Sequence, residues 1–449
     1  MGEAAKRPGQ KRYEWKTKYK RIGQCAAALL AGLLLAMPGA GAPRAAAVCF
    51  AGEIAGTAEE AAGDAPESEE AAAGDGQELK LYAQSAVLMD ADTGRVLYGK
   101  EEDVKRPMAS TTKIMTCILA LEEGNGEDWV SVSSYAASMP DVQLNIREGE
   151  EYRLTDLLYS LMLESHNDAA VAVAEHIGES VEGFAAMMNQ KARDIGCTDT
   201  CFVTPNGLDG TRKEDGAVHS TTAADLARIM RYCVELSPER EAFLAITRTA
   251  SRTIQDKEGK RSFYLANHNA LLNMMPEALS GKTGFTGGAG YCYISALKKD
   301  NKRFIVALLG CGWPPHKTYK WEDMRKISRY AFETYDYYEV FDKGKTFPPL
   351  RVIDGRQETA PLSLNLDREQ ETLELLLKEG EQPDIRYEYA KEKKAPVEAG
   401  SVVGSASYYM DKERIASFPI YVTESVEKAD YLWLLRQVAG RFFLLRREE

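Results

Sequence analysis

Three short motifs in this sequence combine the hydroxyl, amine and amide side chains that nucleophilic catalysis uses. They are Ser-Thr-Thr-Lys at residues 110–113, Ser-His-Asn at residues 165–167 and Lys-Thr-Gly at residues 282–284. Each motif is weak alone, since other Ser-x-x-Lys stretches begin at Ser295 and Ser425. Their order, spacing and contexts together predict a serine nucleophile that is activated by a lysine base.

The first motif is predicted to lie at the start of a helix that begins near Ala109. Free backbone amides and the helix dipole at that position favour negative charge on Ser110. Lys113 follows one turn later on the same face, so its amine can reach the Ser110 hydroxyl. The apolar residues after it predict a buried helix, and desolvation together with a nearby cation lowers the pKa of a lysine. We therefore expect Lys113 to be a neutral general base.

The other two motifs are predicted to present their polar groups from a loop and a strand. Residues 165–167 fall between two helical stretches, where a loop can present a hydroxyl and an amide together. Residues 282–284 fall at the start of a predicted strand, and Gly281 and Gly284 leave room for a substrate backbone. A phosphate-binding loop is discounted, because Pro276 stands where that motif needs glycine.

The pattern of elements predicts an α/β (α+β) fold. A β-hairpin is expected over 85–100 and two more strands within 279–311. Helices are expected between them and after them, so one sheet is built from both ends of the domain around a helical insertion. Short alternating strands over 346–425 predict a small all-β domain. The helices are predicted from 109 to the break at 124, over 154–164, 167–195 and 221–235 (with Ser220 or Thr221 as N-cap), and over 321–336.

Several longer stretches of sequence contain the three motifs or lie between them, and they carry a family resemblance. They include MASTTKIMT, ESHNDAAVAVAEHI, FVTPNGLDG, HSTTAADLA and SGKTGFTGGAGYCYISA. With these the chain resembles the serine penicillin-binding enzymes, and within them the low-molecular-mass D-alanyl-D-alanine carboxypeptidases, over about residues 80–425. The resemblance implies a transpeptidase/β-lactamase-like domain with an antiparallel sheet and a helical subdomain, followed by a small β-rich domain. It also implies peptidoglycan stem peptides as substrates, β-lactam antibiotics as covalent inhibitors, and no cofactor.

The same resemblance assigns roles to the motif residues. Ser110 is the expected acylated nucleophile and Lys113 its base, while Ser165 would relay the proton to the leaving amine. Asn167 would hold the substrate amide. Lys282 would keep Lys113 neutral and help to bind the substrate. The other expected substrate-binding positions are Thr283 for the terminal carboxylate, Gly284, and Phe285, whose amide would form the oxyanion hole with that of Ser110.

Two positions depart from the family pattern. His166 stands where the family commonly has glycine; it could clash or titrate at the rim of the site, and an exposed loop residue without a role is the preferred interpretation. The family often has an arginine shortly after the last sheet strand, where this chain reads WPPHKTYKWED. Lys317 or Lys320 could substitute there as a point charge. A β-lactamase and a non-enzymatic wall-binding protein are the alternative functions.

Composition excludes several classes of protein. The 44% hydrophobic and 28% charged residues exclude a wholly disordered chain, and the net charge of −12 argues against nucleic acid as a partner. The five histidines form no recognisable ligand set, so no metal is expected. The eight cysteines fit no zinc pattern and are expected to be mostly buried thiols, with a Cys197–Cys201 pair as the less favoured alternative.

The two ends of the chain predict export and attachment to a surface. Residues 1–46 have the basic, apolar and small-residue regions of a secretory signal, with an uncleaved anchor as the alternative. Residues 47–78 hold nine Asp and Glu and no Lys or Arg, and are predicted to be a disordered linker. Residues 79–342 are the predicted catalytic domain. Residues 426–449 could be an amphipathic helix in a membrane interface or a helix packed on the β domain. The expected location is the outer face of the cytoplasmic membrane.

Overall fold

The computed structural model describes residues 79–140, 142–364 and 372–444. These residues all belong to one compact unit, Glu70–Glu449. The predicted signal segment (1–46) and linker (47–78) lie outside the described residues, as do the last five residues of the predicted tail.

A five-stranded antiparallel sheet forms the centre of the first region, in the order β2-β1-β9-β8-β7. The predicted hairpin near the N-terminal end is joined to the later strand β9 through its first strand, β1. The sheet is therefore built from both ends of the region, as predicted. Strand β7 lies at one edge of this sheet. The strands are β1 (Ser85–Asp90), β2 (Val96–Lys100), β3 (Trp129–Ser131), β4 (Glu151–Arg153), β5 (Ser251–Gln255), β6 (Ser262–Ala266), β7 (Ala278–Thr286), β8 (Gly290–Lys299) and β9 (Lys302–Leu309).

Helices cover both faces of this sheet. One apolar cluster joins one face to the helical insertion, and a second joins the other face to the helix that follows β9. Alternation of side chains along β8 explains this division, because Ile294 packs in the first cluster and Tyr293 in the second. The helices are α1 (Lys113–Glu123), α2 (Ser134–Ala137), α3 (Leu154–Leu163), α4 (Asn167–Gly178), α5 (Val181–Asp194), α6 (Ala223–Arg231), α7 (Arg240–Arg248), α8 (Leu271–Met274) and α9 (Tyr319–Thr334).

Two predicted helices differ from those observed. The stretch predicted as one helix over 167–195 is divided, because Glu179 has a left-handed backbone (φ 60°) and Ser180 caps a new helix by accepting a hydrogen bond from the Gly183 amide. The helix predicted over 221–235 has Thr222 as its N-cap instead of Ser220 or Thr221. Its last turn widens into a π-helical turn over 232–236.

The second region is all-β, as predicted, and has its own apolar cluster. Its strands begin earlier than expected, because β10 directly follows α9 and pairs with β14. Strands β13, β18, β17 and β15 form a four-stranded antiparallel sheet. The strands are β10 (Tyr335–Glu339), β11 (Leu350–Ile353), β12 (Thr359–Ala360), β13 (Leu362–Ser363), β14 (Glu374–Lys378), β15 (Asp384–Tyr389), β16 (Glu392–Lys394), β17 (Val402–Met410) and β18 (Glu413–Val422).

The chain then forms a helix, α10 (Tyr431–Leu444). Its large apolar side chains are mostly exposed, which favours the interfacial alternative over a helix packed on the β domain. No helix among the described residues is long and apolar enough to cross a membrane. The exposed apolar side chains are Tyr431, Leu432, Leu434, Leu435, Val438 and Phe442.

Candidate active site

The nucleophile predicted at Ser110 lies in a tight 3₁₀ turn, Ala109–Thr112, that leads directly into α1. Ala109 has a left-handed backbone (φ 48°). The Thr112 hydroxyl donates to the Ala109 carbonyl at 2.8 Å and meets Nε2 of His219 at 2.8 Å. These two contacts fix the turn from which Ser110 projects.

His219 joins this turn to a second loop. Its Nδ1 accepts a hydrogen bond from the Val203 amide at 3.0 Å, so Nε2 carries the proton and donates to Thr112. Burial, reinforced by Lys113, lowers the pKa of His219 to about 4, which keeps the imidazole neutral near pH 7. The loop that begins at Val203 is therefore held against the nucleophile.

Lys113 is the centre of the site and is fully buried. Its Nζ lies 3.0 Å from Ser110 Oγ, 2.9 Å from Asn167 Oδ1 and 2.6 Å from the Asn206 carbonyl oxygen. Both amide oxygens can only accept, whereas the serine hydroxyl can also donate. When the amine is neutral, it can donate its two N–H groups to the two amide oxygens and turn its lone pair to the Ser110 hydroxyl.

The electrostatic setting favours that neutral amine. Burial, and then the charge of Lys282, lower the pKa of Lys113 well below its ordinary value, while Asp168 opposes them. Burial lowers the pKa of Lys282 to about 7. Burial thus acts on both lysines, and the charge of Lys282 adds to it at Lys113. These are the directions that a lysine base requires.

Ser165 of the second motif is in contact with Lys282 of the third motif. Ser165 Oγ accepts a hydrogen bond from Lys282 Nζ at 2.9 Å, and the same amine donates to the Thr283 carbonyl at 2.9 Å. Ser165 has a left-handed backbone (φ 69°), an unusual conformation for serine that tends to persist at functional sites. The site therefore contains two lysine–hydroxyl pairs, and Asn167 beside Ser165 touches the first of them.

The Lys-Thr-Gly motif lies in the middle of edge strand β7, not at its start as predicted. The strand passes very close to the nucleophile turn, because a Cβ at Gly284 would lie 2.9 Å from the Ser110 amide nitrogen and 3.0 Å from that of Thr111. Glycine is therefore required at this position. Phe285 follows it and is 43% exposed at the open edge, where a substrate can reach its backbone.

His166 is not the exposed loop residue that was preferred from the sequence. It is 5% exposed, and its ring nitrogens contact Ser160 Oγ at 2.9 Å and Glu164 Oε2 at 3.3 Å. The prediction is wrong because both partners are supplied by the helix and loop that fold around the imidazole. Burial, followed by smaller effects that include Lys113 and Lys282, lowers the pKa of His166 to about 4.

The two candidates for a carboxylate-binding lysine differ in their surroundings. Lys317 is exposed, whereas Lys320 is buried and donates to the Lys317 carbonyl at 2.7 Å. The Lys320 amine also lies 4.7 Å from the ring centroids of Tyr291 and Trp321. None of these described contacts reaches the Ser110 cluster.

Sequence reasoning missed the loop that contains Asn206 and Gly207. Asn206 contributes a backbone carbonyl, which has no side-chain signature. Gly207 has φ 85°, and a Cβ there would lie 2.0 Å from the Ala109 carbonyl oxygen. The Pro-Asn-Gly sequence at 205–207 signals a turn, but it does not indicate that the turn supports a catalytic lysine.

The described residues contain neither a metal site nor a disulfide bond. No group of three or more His, Cys, Asp and Glu side chains there could hold a metal ion. The six described cysteines are free, and all but the half-buried Cys201 are buried. The Cys197–Cys201 pair is therefore absent, and Cys25 and Cys49 lie outside the described residues.

Comparison with known proteins identifies relatives over most of the chain. The family profile for D-alanyl-D-alanine carboxypeptidase matches residues 70–312, and that for the C-terminal domain of penicillin-binding protein 5 matches residues 335–428. The chain is 32% identical over 371 residues to the D-alanyl-D-alanine carboxypeptidase DacF of Bacillus subtilis, covering 81% of this chain and 90% of the relative. It is 29% identical over 383 residues to DacA of Haemophilus influenzae, covering 81% of this chain and 91% of the relative.

A solved structure shows the same architecture. The structure of penicillin-binding protein 5 from Haemophilus influenzae aligns with a TM-score of 0.61 and 26% identity, covering 78% of this chain and 99% of that one. Fold and family together define a serine hydrolase. The chain belongs to the D-alanyl-D-alanine carboxypeptidase family. This membership favours a serine peptidase over the β-lactamase and the non-enzymatic alternatives.

The acylation rate should rise with pH as Lys113 loses its proton, with a midpoint well below the ordinary lysine value. Lys282→Gln removes a cation that lowers the pKa of Lys113, so we expect the midpoint to move to higher pH by roughly one pH unit. The measurement is the second-order rate of penicillin acylation between about pH 5 and about pH 9. The exposed Lys299→Met serves as the control, and a midpoint that stays or falls in Lys282→Gln would contradict this assignment.

Gly207→Ala should slow acylation by roughly tenfold or more, because the new methyl group must displace the Ala109 carbonyl next to the nucleophile. Gly196→Ala is a matched control: Gly196 also has a positive φ (84°), but nothing lies within 4 Å of its Cβ position. Both variants should lose stability, by about 1 kcal/mol for the control. Penicillin acylation rates and thermal unfolding separate the two effects, and equal acylation rates would refute the claimed role of the close contact.

Proposed function

We propose that this chain removes the terminal D-alanine from peptidoglycan stem pentapeptides through an acyl-enzyme on Ser110. The observation that carries the proposal is the contact of the buried Lys113 amine with the Ser110 hydroxyl, at 3.0 Å, while two amide oxygens accept hydrogen bonds from the same amine. That arrangement is suited to accepting a proton and poorly suited to any role that needs a solvated charge.

Acylation begins when Lys113 takes the Ser110 proton and Oγ attacks the carbonyl carbon of the penultimate D-alanine. The oxyanion that forms accepts hydrogen bonds from the amides of Ser110 and Phe285. The contact between Gly284 and the nucleophile turn supports this pair, because it brings the edge of β7 next to the Ser110 amide.

Collapse of the tetrahedral intermediate needs a proton on the leaving nitrogen. Ser165 passes its hydroxyl proton to that nitrogen. Lys113 and Lys282 replace this proton, and Lys282 already donates a hydrogen bond to the Ser165 hydroxyl. The C–N bond then breaks and free D-alanine leaves. A water molecule attacks the ester, its proton returns through Lys113, and Ser110 is regenerated with the shortened peptide as the second product.

The substrate lies along the open edge of β7 in this proposal. Asn167 orients the substrate amide, and Lys282 and Thr283 bind the terminal carboxylate. Lys320 is the better candidate than Lys317 for additional carboxylate attraction, because its amine is fixed beside Tyr291, whose ring lies 4.7 Å from that of Phe285. The chain recognises β-lactams as analogues of the same peptide end and is acylated by them on Ser110.

The proposal includes a location outside the cytoplasm, at the outer face of the cytoplasmic membrane. Residues 1–46 would direct export and residues 47–78 would act as a spacer, with a catalytic domain over 79–342 and a β-rich domain over 346–425. The tail at 426–449 would lie in the membrane interface. Exposed apolar side chains of α10, together with Arg436 and Arg441 in the same helix, support binding to anionic headgroups.

Ser110→Ala should reduce D-alanine release from a diacetylated tripeptide ending in Lys-D-Ala-D-Ala by a factor of about 10³ or more, because no acyl-enzyme can form. Covalent labelling by penicillin should be lost as well. Ser425→Ala removes the serine of another Ser-x-x-Lys stretch and should leave both signals unchanged. Penicillin labelling that persists in Ser110→Ala would rule out this serine as the nucleophile.

Leu435→Glu combined with Val438→Glu should weaken binding of the purified chain to anionic vesicles by about tenfold or more, because two exposed apolar contacts become charged. Co-sedimentation with phosphatidylglycerol vesicles gives the bound fraction. Tyr264→Glu alters a side chain that is 69% exposed on β6 and serves as the control. Equal binding by all three proteins would exclude α10 as the attachment site.

A further inference from the structure

The imidazole of His166 is at the centre of a buried chain of polar contacts behind the second motif. One ring nitrogen, Nδ1, contacts Ser160 Oγ on α3 at 2.9 Å. The other, Nε2, lies 3.3 Å from Glu164 Oε2. The second oxygen of Glu164 accepts a hydrogen bond from the Ala266 amide at the end of β6, at 2.7 Å. The chain thus joins α3, the motif loop and β6.

The proton positions in this chain follow from what each group can do. A neutral imidazole with its hydrogen on Nε2 faces the Glu164 carboxylate with that N–H group and can accept a hydrogen bond from the Ser160 hydroxyl at Nδ1. His166 therefore needs no charge to keep both contacts.

The surroundings of His166 favour this neutral form. Lys113 on α1, Lys282 on β7 and His268 in the loop after β6 all disfavour an added positive charge, and only Glu164 favours one. Burial acts in the same direction as these three residues and is the largest of the effects. Residue 166 therefore positions its neighbours without bringing charge to the site.

Ser165 lies directly between the two residues that this chain fixes. Its left-handed backbone (φ 69°) is unfavourable for a residue with a side chain, and such a conformation persists only where its surroundings determine it. Glu164 is anchored on one side and His166 on the other, so the backbone of Ser165 has little freedom to relax. In this conformation its hydroxyl meets Lys282.

We propose that His166 is a positioning residue that holds Ser165 in place for protonation of the leaving group. This inference rests on the proposed function, in which Ser165 passes the proton to the departing amine. It concerns chiefly that step, because Ser110 and Lys113 are also held by contacts within the 109–112 turn and from the 203–207 loop. His166 touches neither the substrate nor the reacting atoms.

Two substrates of different leaving group test the proposal. A peptide amide needs a proton on its leaving nitrogen, whereas a thioester releases a stable thiolate without one. Loss of Ser165 positioning should therefore slow peptide hydrolysis and largely spare thioester hydrolysis. Damage to the nucleophile or to the fold should slow both reactions together.

The variants remove the two contacts of the His166 ring, with Ser160 and with Glu164, either together or one at a time. His166→Leu removes both and should lower kcat for D-alanine release by about tenfold or more, with less than about a threefold change for an acyl-D-alanyl thioester. Ser160→Ala removes only the partner of Nδ1 and should show a smaller loss with the same selectivity; it also serves if the leucine variant does not fold. His166→Gln keeps the reach to Glu164 and should restore part of the peptide activity.

Ser165→Ala gives the reference pattern of peptide and thioester rates, and His176→Asn is the control histidine change in α4. Equal losses for both substrates, or no loss in His166→Leu and Ser160→Ala, would overturn the proposal. Wild-type protein that hydrolyses neither substrate would instead refute the proposed function, and with it this inference. Thermal unfolding of each variant shows whether a rate change follows a loss of fold.

Discussion

The site depends on one buried amine. Lys113 is removed from water, faces the hydroxyl of Ser110 and has two amide oxygens as its remaining partners. A protonated lysine in such a place would destabilise the fold, because burying a charge without a compensating partner costs several kcal/mol. Giving up the proton removes that cost. In the proposed mechanism, the same burial that stabilises the fold thus produces the base that activates the nucleophile.

The rest of the architecture positions groups around that amine. Helix α1 buries it, the loop at 203–207 supplies the Asn206 carbonyl, and α4 begins with Asn167. Edge strand β7 brings a second lysine, Lys282, whose charge disfavours another proton on the first. Because these pieces come from distant parts of the chain, the site requires the complete sheet and the helical insertion. The β-rich region and α10 contribute no side chain to the described lysine–hydroxyl pairs.

Much of this could be predicted from the sequence, since local spacing carries the relevant information. The i, i+3 relation of Ser110 and Lys113 predicts their contact, and alternating apolar residues predict the hairpin and the antiparallel strands. What failed depends on contacts between distant segments. Asn206 acts through its backbone, 93 residues from Lys113, so no side-chain pattern reveals it. The burial of His166 follows from Ser160, Glu164 and the way α3 folds over the loop, which appears only in three dimensions.

The most direct test of this account is the protonation state of Lys113 itself. NMR of protein labelled with ¹⁵N at lysine side chains reports each Nζ by its chemical shift, and the Lys113→Met variant identifies the resonance by its disappearance. The account predicts that Lys113 changes to the neutral-amine shift at a pH well below the ordinary lysine pKa. An ammonium shift for Lys113 that persists above about pH 9 would contradict it, because the group could not then accept the Ser110 proton.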